Sequence, residues 1–129
     1  MSNHGASQYK QTAVKTAGRG QILLMLYEAA IQNVKKATVA LEKKDLSAKG
    51  LYIGKTHDII NELTNSLDFN QGGQIARDLE RLYTFMTGQL VKANMENSKE
   101  PLIAIEKLLD TLLSGWRVAV EQVNKQQKA

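Results

Sequence analysis

His4 and His57 are the residues of this chain best suited to metal or phosphoryl chemistry, and neither has the neighbours that chemistry needs. A di-iron site in a helical bundle takes Glu-x-x-His pairs, because residues three apart on a helix share a face. Position 54, three before His57, is glycine. A phosphorylated histidine on a bundle is typically followed by Lys and Gly at the third and fourth positions after it; His57 is followed by Asp58, Ile59, Ile60 and Asn61. His57 therefore reads as a half-buried boundary residue of its helix. There is no cysteine, hence no disulfide and no thiolate ligand. The run Gly18-Arg19-Gly20 has no strand before it, as a phosphate-cradling loop requires. No nucleophile–base motif stands out. The chain reads as a non-enzyme without cofactor or metal.

The elements that could hold any site follow from composition and periodicity. The 129 residues suit one domain, and 43% hydrophobic content can fill a core. The net charge is +4, from 17 basic and 13 acidic side chains, and the longest basic runs are the pairs Lys35-Lys36 and Lys43-Lys44. Nucleic-acid binders concentrate their cations more than this, so the charge reads as a solvated surface with no nucleic acid bound. No run of about 18 apolar residues occurs, so no membrane insertion is expected. The start, MSNHGASQYK, lacks the basic-then-apolar layout of a secretory signal. Together with the lack of cysteine this points to a soluble, cytoplasmic protein.

Strand signals are weak, whereas helical periodicity is strong in four places. The first helix is expected from Arg19 to Lys43, on the stripe Leu23, Tyr27, Ala30, Val34, Ala37, Leu41. The second is expected from Ser47 to Leu67, on Ile53, Ile60, Leu63, Leu67. The third is expected from Gln74 to Ala93, on Ile75, Leu79, Leu82, Met86, Leu90, Ala93. The fourth is expected to start at Pro101, where the missing N–H costs nothing, on Leu102, Ile105, Leu109, Leu112, Trp116, Ala119, Val123. Turns are expected at Lys44 to Leu46, at Asp68 to Gly73 with Gly72-Gly73 ending a helix, and at Asn94 to Pro101. Short links favour antiparallel neighbours, hence an all-α, up-down-up-down four-helix bundle with an N-terminal cap segment. The expected organisation is a flexible leader or cap over 1–17, the bundle over 18–125 and a polar tail over 126–129. Trp116, within the stripe, reads as core.

The stripes leave a surplus. At about 100° per residue, Leu24 and Ile31 fall about 100° from the centre of the first stripe, with Met25 further round. Tyr52 and Ile59 widen the second face. Phe85 lies at one edge of the third stripe and Val91 nearly opposite it. Ile103 and Val118 lie far off the fourth. One exposed apolar residue is ordinary, but a contiguous patch marks a docking surface, and an amphipathic helix in a groove is a natural occupant. The leader itself has Tyr9, Ala13 and Ala17 at four-residue spacing, with Val14 among polar residues. The expected partner-binding set is Tyr9, Val14, Leu24, Ile31, Tyr52, Ile59, Phe85, Val91, Ile103 and Val118.

Beyond these patterns, the order of motifs resembles one family. Tyr9 is followed by Thr16-Ala17, then ILLMLYEAAI, GGQIARDLERLYTFM, LVKAN and Trp116. The most specific pieces are Leu26-Tyr27 with Ala30-Ile31, then Gly72-Gly73-x-Ile75-Ala76-x-x-Leu79, then Leu82-Tyr83 with Met86, and Ala93-Asn94. From Tyr9 to Trp116 this is similar to the flagellin-specific export chaperones, the FliS family. Two departures stand out. Gly18-Arg19 replaces the family's usual Ser-Pro, so the first helix should start less sharply. Glu28-Ala29-Ala30-Ile31 replaces Asp-Gly-Ala-Ile, and alanine for glycine favours helix by up to about 1 kcal/mol.

The resemblance implies an antiparallel helical bundle in the bacterial cytosol that binds the disordered C-terminal segment of flagellin in a hydrophobic groove. The bound segment becomes partly helical and cannot polymerise early, and the complex is delivered to the flagellar type III export gate. It also implies that the leader, with Tyr9, Val14 and Ala17, covers part of the groove and yields to flagellin. Without the resemblance, the residues also fit a generic helical adaptor for another amphipathic segment.

Overall fold

A computed structural model of the protein describes residues 18–128, which form four α-helices: α1 (Arg19–Glu42), α2 (Leu46–Asn65), α3 (Phe69–Glu96) and α4 (Glu100–Lys128). The expected leader, with Tyr9, Val14 and Ala17, lies outside the described residues. Each helix packs against its neighbours in sequence, and α1 closes the ring against α4. Cross-helix contacts fix the directions. Glu28 pairs with Arg117 at 3.4 Å and Glu42 with Lys99 at 3.8 Å, so α1 and α4 run antiparallel. Lys49, near the start of α2, donates to the Asn94 carbonyl at 3.0 Å and to Asn97 Oδ1 at 2.6 Å, at the end of α3. The two ion pairs are exposed and contribute little energy, but they report the register.

Three-residue links make the reversals, each by a local device. Lys44 (φ 59°) and Asn97 (φ 50°) adopt the left-handed conformation that ends a helix. Asp45 accepts the Ala48 N–H, and Asp68 accepts the Asn70 and Gln71 N–H groups, so both carboxylates cap the helices that follow. The start of α1 has only Gly18 and no side-chain cap, the weaker start expected where Ser-Pro is replaced.

The stripes fill the core: Tyr27, Ala30, Val34 and Ala37 from α1, Ile53, Ile60 and Leu63 from α2, Leu79, Met86, Leu90 and Ala93 from α3, and Leu102, Ile105 and Leu109 from α4 are buried. Burying each large aliphatic side chain stabilises by about 1.5–3 kcal/mol. Gly20 lets α1 approach α4 closely, since a Cβ there would lie 2.8 Å from Val120 Cγ1.

Several expectations are corrected. Gly72-Gly73 does not end a helix. Asp68 has already capped α3, and Gly73 (φ 51°, ψ −122°) kinks it after its first turn. Ile75, expected inside, follows the kink but lies about 100° round the helix from the buried Ala76, and is 68% exposed. Ala76 and Tyr83 are buried in its place. In α4 the core contact shifts from Leu112 to Leu113, and Val123 is exposed near the end of the helix. That helix continues through Lys128, so residues 126–128 of the expected tail are helical.

Candidate functional site

At the end of the bundle where α1 and α3 begin and α2 and α4 finish, the core is open. Leu23 of α1, Leu67 from the α2–α3 link, Ile75, Ala76, Leu79 and Tyr83 of α3, and Trp116 of α4 line a cleft of about 240 Å³, with Ser66, Asp68 and Gly72 at its rim. The kink at Gly73 falls at the edge of this cleft, between its lining residues Gly72 and Ile75. Leu23 lies little more than one helical turn from Gly18, where the described chain begins.

Beneath this cleft the Tyr27 and Tyr83 hydroxyls hydrogen-bond to each other in the core. Burial raises the pKa of both phenols above the ordinary value of 10.0; for Tyr83 the neighbouring Tyr27 adds to it, and for Tyr27 the bond to Tyr83 lowers it in part. The buried Trp116 indole N–H reaches toward Tyr27 closely enough to ease that phenol's ionisation slightly, without the geometry of a full hydrogen bond. The pair is structural: two hydroxyls satisfying each other inside an apolar shell.

Elsewhere the surface carries the surplus, but not as one channel. Leu24 is half-buried and lines a cleft between α1 and α4 with Arg117, Val120 and Glu121. Tyr52 is half-buried in a cleft between α1 and α2. Ile59 is half-buried against the core. Phe85 (51% exposed), Val91, Ile103 and Val118 (57% exposed) stand in solvent on α3 and α4. Ile31 is corrected: it is buried, 5% exposed, within the core, and has nothing to offer a partner. Tyr9 and Val14 fall outside the described residues. The expected set is thus distributed over all four helices instead of gathered.

The residues that do converge were mostly passed over. Leu23, Ile75 and Trp116, on the stripes expected to fill the core, wall an opening, with Leu79, itself in the core, at its base. The signal was available in Gly72-Gly73, whose backbone freedom permits a kink as readily as a stop.

For chemistry the described residues offer little. No three His, Cys, Asp or Glu side chains among them come together as metal ligands. His57 is half-buried, as expected, and accepts from the Asn61 amide at 3.0 Å. Hydrogen bonds from Gln74 and Arg81 hold the pKa of Asp78 below its ordinary value, and one from Ser98 does so for Glu100; both carboxylates are exposed. No described helix is long and apolar enough to cross a membrane.

Comparison with known proteins agrees with this architecture. A family model described as "Flagellar protein FliS" matches residues 1–123. The flagellar secretion chaperone FliSB of Pseudomonas aeruginosa is 33% identical over 113 residues, 84% of this chain and 90% of its own. The flagellar secretion chaperone FliS of Salmonella typhimurium is 34% identical over 108 residues, 83% of this chain and 80% of its own. A solved structure described as a flagellar chaperone from bacteria superposes with a TM-score of 0.78, over 95% of this chain and 99% of that one, at 21% identity, which bears on the fold.

Proposed function

The chain belongs to the FliS family of flagellar secretion chaperones, a class of export chaperones and not of enzymes, and on that premise we propose that its export substrate is flagellin. In this reading the protein works in the cytosol of a flagellated bacterium. It binds the disordered C-terminal segment of flagellin along apolar grooves, keeps it from polymerising early and carries it to the export gate.

The observation that carries the reading is the spread of exposed apolar residues over every helix, with Met25 on α1, Leu51 on α2, Phe85 and Val91 on α3, and Ile103 and Val118 on α4. A compact ligand needs one patch. An extended segment that wraps the bundle can use several, each contributing a modest contact. A chain that folds on binding spends a few kcal/mol on its own ordering, so it needs roughly 1,000–3,000 Å² of contact. That is more than one 240 Å³ cleft provides. Many shallow contacts also suit a partner that must be released. Residues 1–17, with Tyr9, Val14 and Ala17, join α1 beside the open end of the bundle, and in this reading they cover that cleft until flagellin displaces them.

Titration calorimetry and far-ultraviolet circular dichroism with a C-terminal flagellin peptide test this. Heat release and added helicity at micromolar concentration are expected, with neither from an N-terminal flagellin peptide. Silence from both peptides, or equal responses, would overturn it.

A further inference from the structure

On the flank of the bundle, away from the open end, α1 and α2 diverge over a cleft of about 350 Å³. Its walls are Val39, Ala40 and Ala48, with Tyr52 between them, and Lys35, Lys36 and Lys43 stand along its edge. Lys36 from α1 and Lys55 from α2 both place their ammonium groups over the Tyr52 ring, at 5.6 and 5.7 Å from its centroid. The ring attracts each cation, so lysines from two helices stand around one aromatic ring. The acid lining the cleft is Asp45, and its Oδ1 already accepts the Ala48 N–H. Glu42 is turned to Lys99 on another seam. Among the described residues none of these four lysines has a carboxylate within ion-pair distance. The result is a concave surface with an apolar floor, a half-buried aromatic ring and a rim of lysines without ion-pair partners among the described residues.

We propose that this Tyr52 cleft is a docking site for an acidic peptide segment of a protein partner, one that inserts an aliphatic or aromatic side chain beside Tyr52 while its flanking Asp and Glu residues meet Lys36, Lys43 and Lys55. Charge complementarity selects the occupant. Carboxylates along the rim meet lysines that have no ion-pair partner among the described residues, and the apolar floor distinguishes a peptide with an anchor from a bare anion. The cleft shares no lining residue with the open end of the bundle. The lysine rim carries the inference, and because Tyr52 also belongs to the partner-binding set expected from the sequence, the test compares the acidic peptide with the flagellin peptide.

The probe is a fluorescein-labelled peptide, Asp-Glu-Asp-Leu-Phe-Asp-Glu-Glu, followed by polarisation with the full chain. Binding is expected to weaken with added salt, because the screening length falls from about 10 Å at 0.1 M to about 3 Å at 1 M. The triple variant Lys36→Glu, Lys43→Glu, Lys55→Glu should bind the probe at least about tenfold more weakly, as loss of several facing charges does, and should keep the circular dichroism spectrum of the parent. A control with the same charge change elsewhere, Lys92→Glu, Lys107→Glu, Lys125→Glu, should bind like the parent. Equal weakening in the control would overturn the proposal by showing non-specific attraction. So would equal binding of the peptide with Leu-Phe replaced by Ser-Ser, or of a single-stranded oligonucleotide of equal charge. If the triple variant loses the acidic peptide and keeps the C-terminal flagellin peptide, the two surfaces are separate.

Discussion

The contact between Tyr27 and Tyr83 couples two helices through one hydrogen bond placed where water does not reach. Removing one hydroxyl leaves the other buried without a partner. Tyr27→Phe and Tyr83→Phe should each destabilise by about 1–3 kcal/mol, whereas the double variant should cost clearly less than their sum, since no orphan remains. Urea melts of the four proteins give the cycle, and additive losses would deny the coupling. The same pair sets a pH dependence. Both phenols hold their protons more tightly in the folded chain than the ordinary value of 10.0. Above that pH the unfolded chain binds fewer protons than the native one, so stability falls as pH rises. Below it the contribution is constant. The double Phe variant should show a shallower loss between pH 9 and 11, the lysines titrating equally in both. Trp116 belongs at this scale too. A fully buried tryptophan changed to alanine costs about 3–5 kcal/mol, but Trp116 is half-buried at the wall of a cleft, so Trp116→Ala should cost about 2–3 kcal/mol. An unchanged melting temperature would place its ring outside the packing.

At the scale of the helix, periodicity made the four elements and nearly all their buried faces legible, because each stripe answers to a neighbour on both sides. Legibility failed at Gly73. A glycine pair between two apolar patterns reads as a stop, and nothing local distinguishes a stop from a kink when Asp68 can cap five residues earlier. The reading of Ile75 failed for a separate reason: it lies one residue, about 100° round the helix, from Ala76, which the continuing helix buries instead. The two outcomes predict different costs. Gly73 has φ 51° and ψ −122°, a region that side chains with a Cβ avoid, so Gly73→Ala should destabilise by about 1–3 kcal/mol. Gly88 sits inside α3 with no atom within 4 Å of an added Cβ, so Gly88→Ala should stabilise by about 0.5–1 kcal/mol. Thermal melts of the two variants should move in opposite directions. If both rise, the kink carries no strain and the helix is free to straighten.

For the molecule as a whole, the candidate site was less legible than the fold for a physical reason. A helical wheel ranks residues by angle alone, whereas exposure also depends on how far each helix extends and how closely its neighbours approach. Ile31 lies off its stripe by angle and is buried in the core, whereas Leu23 and Trp116 lie on the stripes of their helices and wall a cleft at the open end. That open end governs the last expectation. If residues 1–17 cover the cleft, an incoming segment competes with them, and its apparent affinity is reduced by the fraction of time the cleft is closed. A protein lacking residues 1–17 should then bind the C-terminal flagellin peptide more tightly and bind an apolar dye more strongly than the full chain. Its bundle, which begins at Arg19, should keep its helicity. Shortening the leader in steps should locate the effect, with most of the gain appearing once Tyr9 and Val14 are gone, since the residues before them are chiefly polar. Equal affinity and equal dye binding in the full and shortened chains would remove the leader from the mechanism and leave the cleft as permanently open surface.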